Sequence, residues 1–211
     1  MTVAAPLTDL LHRYPELRVC AEQISRADTA LRTCFAAQGK LLLCGNGGSA
    51  ADCEHIAAEL LKGFMSKRPL SAGDRQRLPA GIGERLQGGL PAIPLCGFPG
   101  FGTAFLNDVD PQLIYAQLTW VLGRPGDVLL ALSTSGTSPN VCRAVETARA
   151  CGLVTIGLTG RTGGDLTRLT DICINVPADE TYRIQEYHLP IYHCLCRSLE
   201  QAFFPSPSHG V

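Results

Sequence analysis

Four polar side chains recur at spacings that place them on helix faces, and their chemistry is that of a metal site or a proton shuttle. His55 and Glu59 stand four residues apart, so a helix through both presents them on one face. Gln185, Leu189 and His193 climb one side of a later helix, again in steps of four. Two imidazoles, one carboxylate and one carboxamide can ligate a single divalent ion, and zinc suits such nitrogen and oxygen donors. A lone His–Glu pair at this spacing is more often a surface interaction. Spacing along the chain does not by itself bring the two helices together.

Two short runs have the composition of anion cradles. The first, Gly45-Asn46-Gly47-Gly48-Ser49, follows an apolar stretch and leads into helical sequence, with Ser49 placed to cap the helix. Glycines let a ligand approach the backbone, and a helix N-terminus offers free N–H groups at the positive end of its dipole. The run is neither a Gly-x-Gly-x-x-Gly fingerprint nor a Gly-Lys-Ser/Thr loop, which removes the usual nucleotide motifs. The second run, Ser133-Thr134-Ser135-Gly136-Thr137-Ser138, precedes Pro139 at a first helical position. A turn needs one capping hydroxyl. Five hydroxylated residues in six positions suit a phosphate monoester, held by hydroxyl and backbone donors without a large fixed charge.

Both runs sit in an alternation of short apolar and longer helical stretches. Residues 40–44, 92–96, 128–132, 154–158 and 172–176 have strand length, and most are apolar throughout, as strands buried on both faces are. Helical sequence at 50–62, 111–121 and 139–150 lies between them. The rhythm predicts an α/β fold with a parallel sheet, whose right-handed crossovers carry the loops after the strands to one edge. Residues 181–204 read as a long closing helix, with Asp179 or Thr181 as N-cap and a kink near His193 caused by Pro190. Residues 15–38 read as one helix. Its stripe of Leu17, Cys20, Ile24, Ala27, Leu31 and Cys34 suits packing on its own domain or between subunits. Residues 66–90 break the rhythm with prolines, glycines and Lys67, Arg68, Arg75, Arg77 and Arg85. They read as a solvated loop with a short helical turn, or else as a lid that brings arginine to an anion.

A chain of 211 residues, 45% hydrophobic and 6% aromatic, suffices for one well-buried domain with an aliphatic core. The formal net charge of -1 gives no broad attraction for nucleic acid or an anionic membrane surface, so an anion must be held by local geometry. No apolar run reaches the roughly 20 residues of a membrane helix. Residues 1–11 lack the basic start and apolar stretch of a secretion signal, and a cytoplasmic location is expected. The 10 cysteines form no Cys-x-x-Cys pair and fall mostly at apolar positions, as buried thiols in a reducing compartment do.

The block LLLCGNGGSAADCEHIAAE, from Leu41 to Glu59, resembles the first signature of the phosphoheptose (sedoheptulose 7-phosphate) isomerases of the sugar-isomerase (SIS) domain superfamily. GDVLLALSTSGTSPNV, from Gly126 to Val141, resembles the superfamily's phosphate loop. RIQEYHLPIYH, from Arg183 to His193, is similar to that family's C-terminal metal and catalytic segment. The likeness runs from Gly39 to Phe204. It implies a three-layer α/β sandwich on a five-stranded parallel sheet of flavodoxin-like order, one SIS domain over residues 1–211 with an N-terminal oligomerisation helix, and a homotetramer with sites between subunits. By the same likeness Asn46, Gly47, Gly48, Ser49, Asn107 and Asp108 line the sugar pocket, and Ser133, Thr134, Ser135 and Ser138 hold the phosphate. It further implies one zinc ion per subunit on His55, Glu59, Gln185 and His193, with Glu59 and Gln185 also touching substrate. Two features depart from the family pattern. Tyr182 stands where an aspartate precedes the metal-binding glutamine, and residues 66–90 form a longer connection.

The implied reaction moves a proton between C1 and C2 of an open-chain sugar phosphate, with Glu59 as base and His193 as its acid/base partner. The likeness points to sedoheptulose 7-phosphate and a D-glycero-heptose 7-phosphate. The rival reading is a non-catalytic SIS module that binds a phosphosugar or a protein partner. Such a module would keep both loops and would have no need of the four candidate ligands.

Overall fold

The structure, a computed structural model, describes residues 5–205. The first four residues read for a secretion signal, and the last six of the single-domain span, lie outside the described residues. The chain opens with α1 (Ala5–Arg13), a 3-10 segment (Pro15–Cys20) and α2 (Ala21–Ala36). It continues through β1 (Leu41–Cys44), α3 (Gly48–Leu61), the short α4 (Ala72–Gln76), β2 (Ala92–Pro94) and α5 (Pro99–Asp108). After a 3-10 turn (Pro111–Leu113) come α6 (Ile114–Leu122), β3 (Val128–Leu132), α7 (Pro139–Ala150) and β4 (Val154–Thr159). The chain then forms α8 (Leu166–Leu169), β5 (Ile172–Asn175) and α9 (Thr181–Phe203).

All strand pairs are parallel, in the order β2-β1-β3-β4-β5. The expected five-stranded sheet is therefore present, and its winding reverses at β1, with β2 on one side and β3 on the other. In sheets of this kind ligands bind at the C-terminal edge beside such a reversal. Cys44 pairs with Ala131, so β1 and β3 end almost level and release their loops side by side. At the opposite end Asp127 fixes that register: its carboxylate accepts from the Lys40 N–H at 2.9 Å, from the Lys40 ammonium and from the Arg124 N–H at 2.8 Å.

Every residue of β1 and β3 is buried, which explains their unbroken apolar sequence. Alternate side chains serve two cores. Leu41, Leu43, Val128, Leu130 and Leu132 join residues of α1, α2, α3 and α9. Leu42, Cys44, Leu129 and Ala131 join residues of α6 and α7 on the other face.

Several expected elements differ. Residues 15–38 form no single helix, because the 3-10 segment passes into α2 at Cys20, whose φ of -117° and ψ of 13° are not helical. The stripe from Leu17 to Cys34 is buried within its own chain, and Leu17, Ile24 and Leu31 each contribute about 1.5–3 kcal/mol by leaving water. It is therefore not free to pack between subunits. Helices α1, α5 and the short α8 were not anticipated. Helix α9 is one long helix with Pro190 inside it, as read, but Glu180, not Asp179 or Thr181, is its N-cap, and Asp179 pairs instead with Arg161 at 2.9 Å. In 66–90 only α4 and an isolated bridge between Pro69 and Gln87 are regular, and one of its arginines, Arg68, is buried. The ten cysteines are free thiols, and burial pushes Cys20 up to about 11 and Cys194 up to about 12.

Candidate active site

The loops after β1 and β3 meet at the C-terminal edge of the sheet. Gly47 has φ 55° and ψ -123°, a left-handed conformation open to glycine, and it turns the chain into α3 as that helix's N-cap. Ser49 is consequently inside the first turn, buried, and does not cap as expected. Asn46 and Asn140 exchange two amide hydrogen bonds, at 2.9 and 3.0 Å, which tie the glycine turn to the start of α7. The Tyr115 hydroxyl steadies the same turn by donating to the Gly45 carbonyl at 2.6 Å. A cavity of about 300 Å³ opens between the loops, lined by Asn46, Gly48, Ser133, Thr134, Ser138 and Gln185 among others. The Ser133 and Ser138 hydroxyls lie 3.0 Å apart, and Ser133 Oγ also accepts from the Gly136 N–H. Ser138 is the N-cap residue of α7 but makes no side-chain cap bond, which leaves its hydroxyl to this cavity. Ser135 and Thr137 are exposed and bond to each other at 3.0 Å, so two of the five hydroxyls face elsewhere.

The second cluster is formed by α3 and α9. His55 Nε2 lies 3.3 Å from Glu59 Oε1, as the four-residue spacing requires, and 3.5 Å from Nε2 of His193. The helices do meet. The other nitrogen of His55 faces the Tyr192 hydroxyl at 3.0 Å, and that hydroxyl donates to Asp52 at 3.1 Å. With its one proton given to Asp52, the hydroxyl accepts from Nδ1–H of His55, which leaves Nε2 with a lone pair. Burial, then the neighbouring His55, holds the His193 imidazole below its ordinary value. Burial raises the Asp52 carboxyl against the opposing bond from Tyr192.

A lone pair on His55 Nε2 thus faces a carboxylate oxygen and a second imidazole nitrogen, an arrangement that calls for a proton or a cation between them. Two ligands bonded at 2.0–2.1 Å in a tetrahedral shell stand about 3.3 Å apart. Both observed donor separations fit that value, and the donor types suit zinc. Gln185, the fourth candidate, lies over Gly48, where an added Cβ would come 2.6 Å from its Nε2. Among the described residues no three His, Cys, Asp or Glu side chains form a group that could hold a metal ion as they stand. The donors fit in kind and in pairs.

Comparison with known proteins agrees with this geometry. Residues 6–74 and 95–160 match the model of the SIS domain family. A phosphoheptose isomerase of Roseiflexus sp. (strain RS-1) is 41% identical over 170 residues, 81% of this chain and 77% of the relative. One from Desulfovibrio desulfuricans is 40% identical over 84% of this chain and 76% of its own length. The solved phosphoheptose isomerase of Neisseria gonorrhoeae superposes with a TM-score of 0.72 at 33% identity, over 92% of this chain and 96% of that one. The chain belongs to the phosphoheptose isomerase family of SIS-domain proteins. A family of isomerases decides for an enzyme and against the non-catalytic module. Its domain model skips residues 75–94, most of the irregular segment that broke the sequence rhythm.

Of the residues expected to bind substrate, Asn46, Gly47, Gly48, Ser49, Ser133, Thr134 and Ser138 share one cavity with Gln185 of α9. Asn107 and Asp108 do not line it. They are exposed at the end of α5 and bonded to each other at 2.8 Å. On α3, Ile56 and Leu60 are buried, whereas their apolar neighbour Leu61 is 53% exposed. The sequence reading missed Tyr115, Asn140, Asp52 and Tyr192. Tyr192 and Asp52 carried a usable signal, since each stands next to or three residues from a candidate ligand on the same helix.

Proposed function

We propose that this chain interconverts sedoheptulose 7-phosphate and a D-glycero-heptose 7-phosphate. One observation carries the reading: a hydroxyl-lined anion cavity and a His–Glu–His cluster are strung along the same two helices. Ser49 and His55 are six residues apart on α3, a rise of about 9 Å. Gln185 and His193 are eight apart on α9, a rise of about 12 Å. That is the scale of an open seven-carbon chain with phosphate at one end and carbonyl at the other.

The phosphate group binds Ser133, Thr134 and Ser138 and the open backbone of the loop, far from the reacting carbons, and so fixes the pose. The Glu59 carboxylate then removes a proton from C1 of the ketose and returns it to C2. His193, held neutral by its depressed pKa, passes the hydroxyl proton from O1 to O2. Each proton leaves one atom and arrives at its neighbour, so the sugar changes only the position of its carbonyl. The Asp52–Tyr192 pair keeps His55 in the tautomer that turns its lone pair to this centre. The apolar ring of Phe64, 5.4 Å from that of His193, covers one side of the imidazole.

We infer that His55, Glu59, Gln185 and His193 hold a divalent ion, with zinc favoured by the mixed nitrogen and oxygen donors. When bound, such an ion polarises the carbonyl oxygen. Metal analysis of purified protein, before and after chelation, tests this, and full metal-free turnover would overturn it. A homotetramer is proposed as well. Its support is the family likeness and exposed apolar side chains such as Val19, Val109 and Trp120. Light scattering at assay concentration decides it. A cytoplasmic location is proposed too, supported by the ten free thiols, which suit a reducing compartment.

The decisive assay offers a panel of ketose phosphates, sedoheptulose 7-phosphate first. Turnover of another sugar in preference would correct the substrate. No turnover of any would overturn the reaction.

A further inference from the structure

The segment after α3 closes around a buried ion pair. The Arg68 side chain is 0% exposed and that of Glu200 5%, with Nε 2.7 Å from Oε1. The other two guanidinium nitrogens donate to the carbonyls of Leu60 and Glu59, at 2.8 and 3.0 Å, in the last turn of α3. The Leu60 carbonyl accepts from the Leu90 N–H as well, at 2.9 Å, and a cation at this end complements the negative pole of the helix dipole. Glu200 reaches back from α9: its carboxylate accepts from the backbone N–H groups of Phe64 and Met65, both at 2.8 Å. Burial alone would raise this carboxyl, yet the Phe64 and Arg68 bonds hold it below its ordinary value. Arg68 has a φ of 44°, a left-handed conformation that costs a non-glycine residue energy and persists where the surroundings enforce it.

Both proposed catalytic side chains hang from the elements that this pair joins. Glu59 stands in the turn whose carbonyl Arg68 grips. His193 stands seven residues before Glu200 on α9, against the ring of Phe64, whose N–H Glu200 holds. Apolar residues would join two helices at least as stably as a desolvated ion pair, so stability alone does not account for it. What a planar guanidinium adds is direction, because its fixed fork sets angles as well as contact.

The geometry points to Arg68 and Glu200 as positioning residues that set the approach of the Glu59 carboxylate to the His193 imidazole. This rests on the isomerase reading of the site. It makes catalysis depend on two groups that touch no substrate.

Two variants of the full chain test it, Arg68→Lys, which keeps the charge and loses the fork, and Glu200→Gln, which keeps the shape and loses the charge. Folding is checked by circular dichroism, turnover is measured on sedoheptulose 7-phosphate, and the His193 ring shifts are read by NMR with labelled histidine. A folded variant should lose about a hundredfold in kcat, since small displacements of reacting groups are that costly. KM should stay within about twofold, because the phosphate loop is untouched. The His193 signals should move as the Phe64 ring current moves. A folded variant with parental kcat overturns the proposal, as does a loss of kcat with unmoved His193 signals. Unfolding of both variants also overturns it and assigns the pair to stability alone. If the parent itself turns over no sugar phosphate, the isomerase reading fails, and the His193 signals still report whether the pair positions that ring.

Discussion

At the proposed phosphate end of the site the hydroxyls and the open backbone come from two loops, 45–49 and 133–138, each complete within six residues of sequence, and only Gln185 of those named reaches in from α9. At the proton-transfer end the donors hang from α3 and α9, whose histidines are 138 residues apart in the chain and 3.5 Å apart in space. The first end is local chemistry delivered by strand register. The second exists because two helices share one core face of the sheet. A local site should lose its parts one at a time, whereas an assembled one should fail when its support is disturbed at a distance.

The largest effect is expected at Glu59. Glu59→Gln removes the base and keeps the shape, so kcat should fall by about 10²–10⁴ with little change in KM. A variant that changes KM alone would move Glu59 to the binding side of the comparison.

At the phosphate end, Ser133→Ala and Ser138→Ala should each cost about 1.5–3 kcal/mol, read as a raised KM and weaker inhibition by inorganic phosphate. Ser135→Ala should cost far less, because that hydroxyl is exposed and spent on Thr137. Equal losses at Ser135 and Ser138 would break the distinction between the hydroxyls that line the cavity and those that do not.

Tyr192→Phe sharpens the assembled end. It deprives Asp52, whose Oδ2 is already buried without a partner, of its remaining bond and frees the His55 tautomer. Stability should fall by about 1–3 kcal/mol, and kcat should drop by about tenfold while KM holds. Thermal unfolding and steady-state kinetics on one preparation separate the two effects.

The smallest effect belongs to neither end. His188 lies on α9 between the two, its ring buried beside the Thr159 backbone, and burial outweighs that contact and lowers its pKa from 6.5 to about 4. Between those values the unfolded chain binds more protons than the native one, so stability rises with pH there. The stability it leaves intact above pH 6.5 is lost progressively as pH falls towards about 4. Urea unfolding at fixed protein concentration from neutral to acid should show that slope. His188→Leu should flatten it, and an unchanged slope would place the titration elsewhere.

Much of this was legible beforehand for a physical reason. Strands such as Val128–Leu132 are apolar throughout because both faces are covered, and the glycine and serine runs stand out by their backbone freedom and hydroxyl density. Nothing distant is needed to recognise them. The i+4 spacing placed His55 and Glu59 on one face because helix geometry is fixed by the chain itself.

The sequence by itself therefore determined the α/β alternation, the two candidate anion loops and the identity of four polar side chains. Tertiary structure decided that α3 and α9 touch, that Ser135 and Thr137 turn away while Ser133 and Ser138 face inward, and that the stripe of α2 is spent inside its own chain. It also took Arg68 from a loop rich in solvated charge and buried it against Glu200. Apart from the turn of the serine loop, which is local, those outcomes depend on contacts between residues more than a hundred positions apart. Such contacts leave no periodicity in a single sequence, because the register of distant elements is set by how the whole core packs.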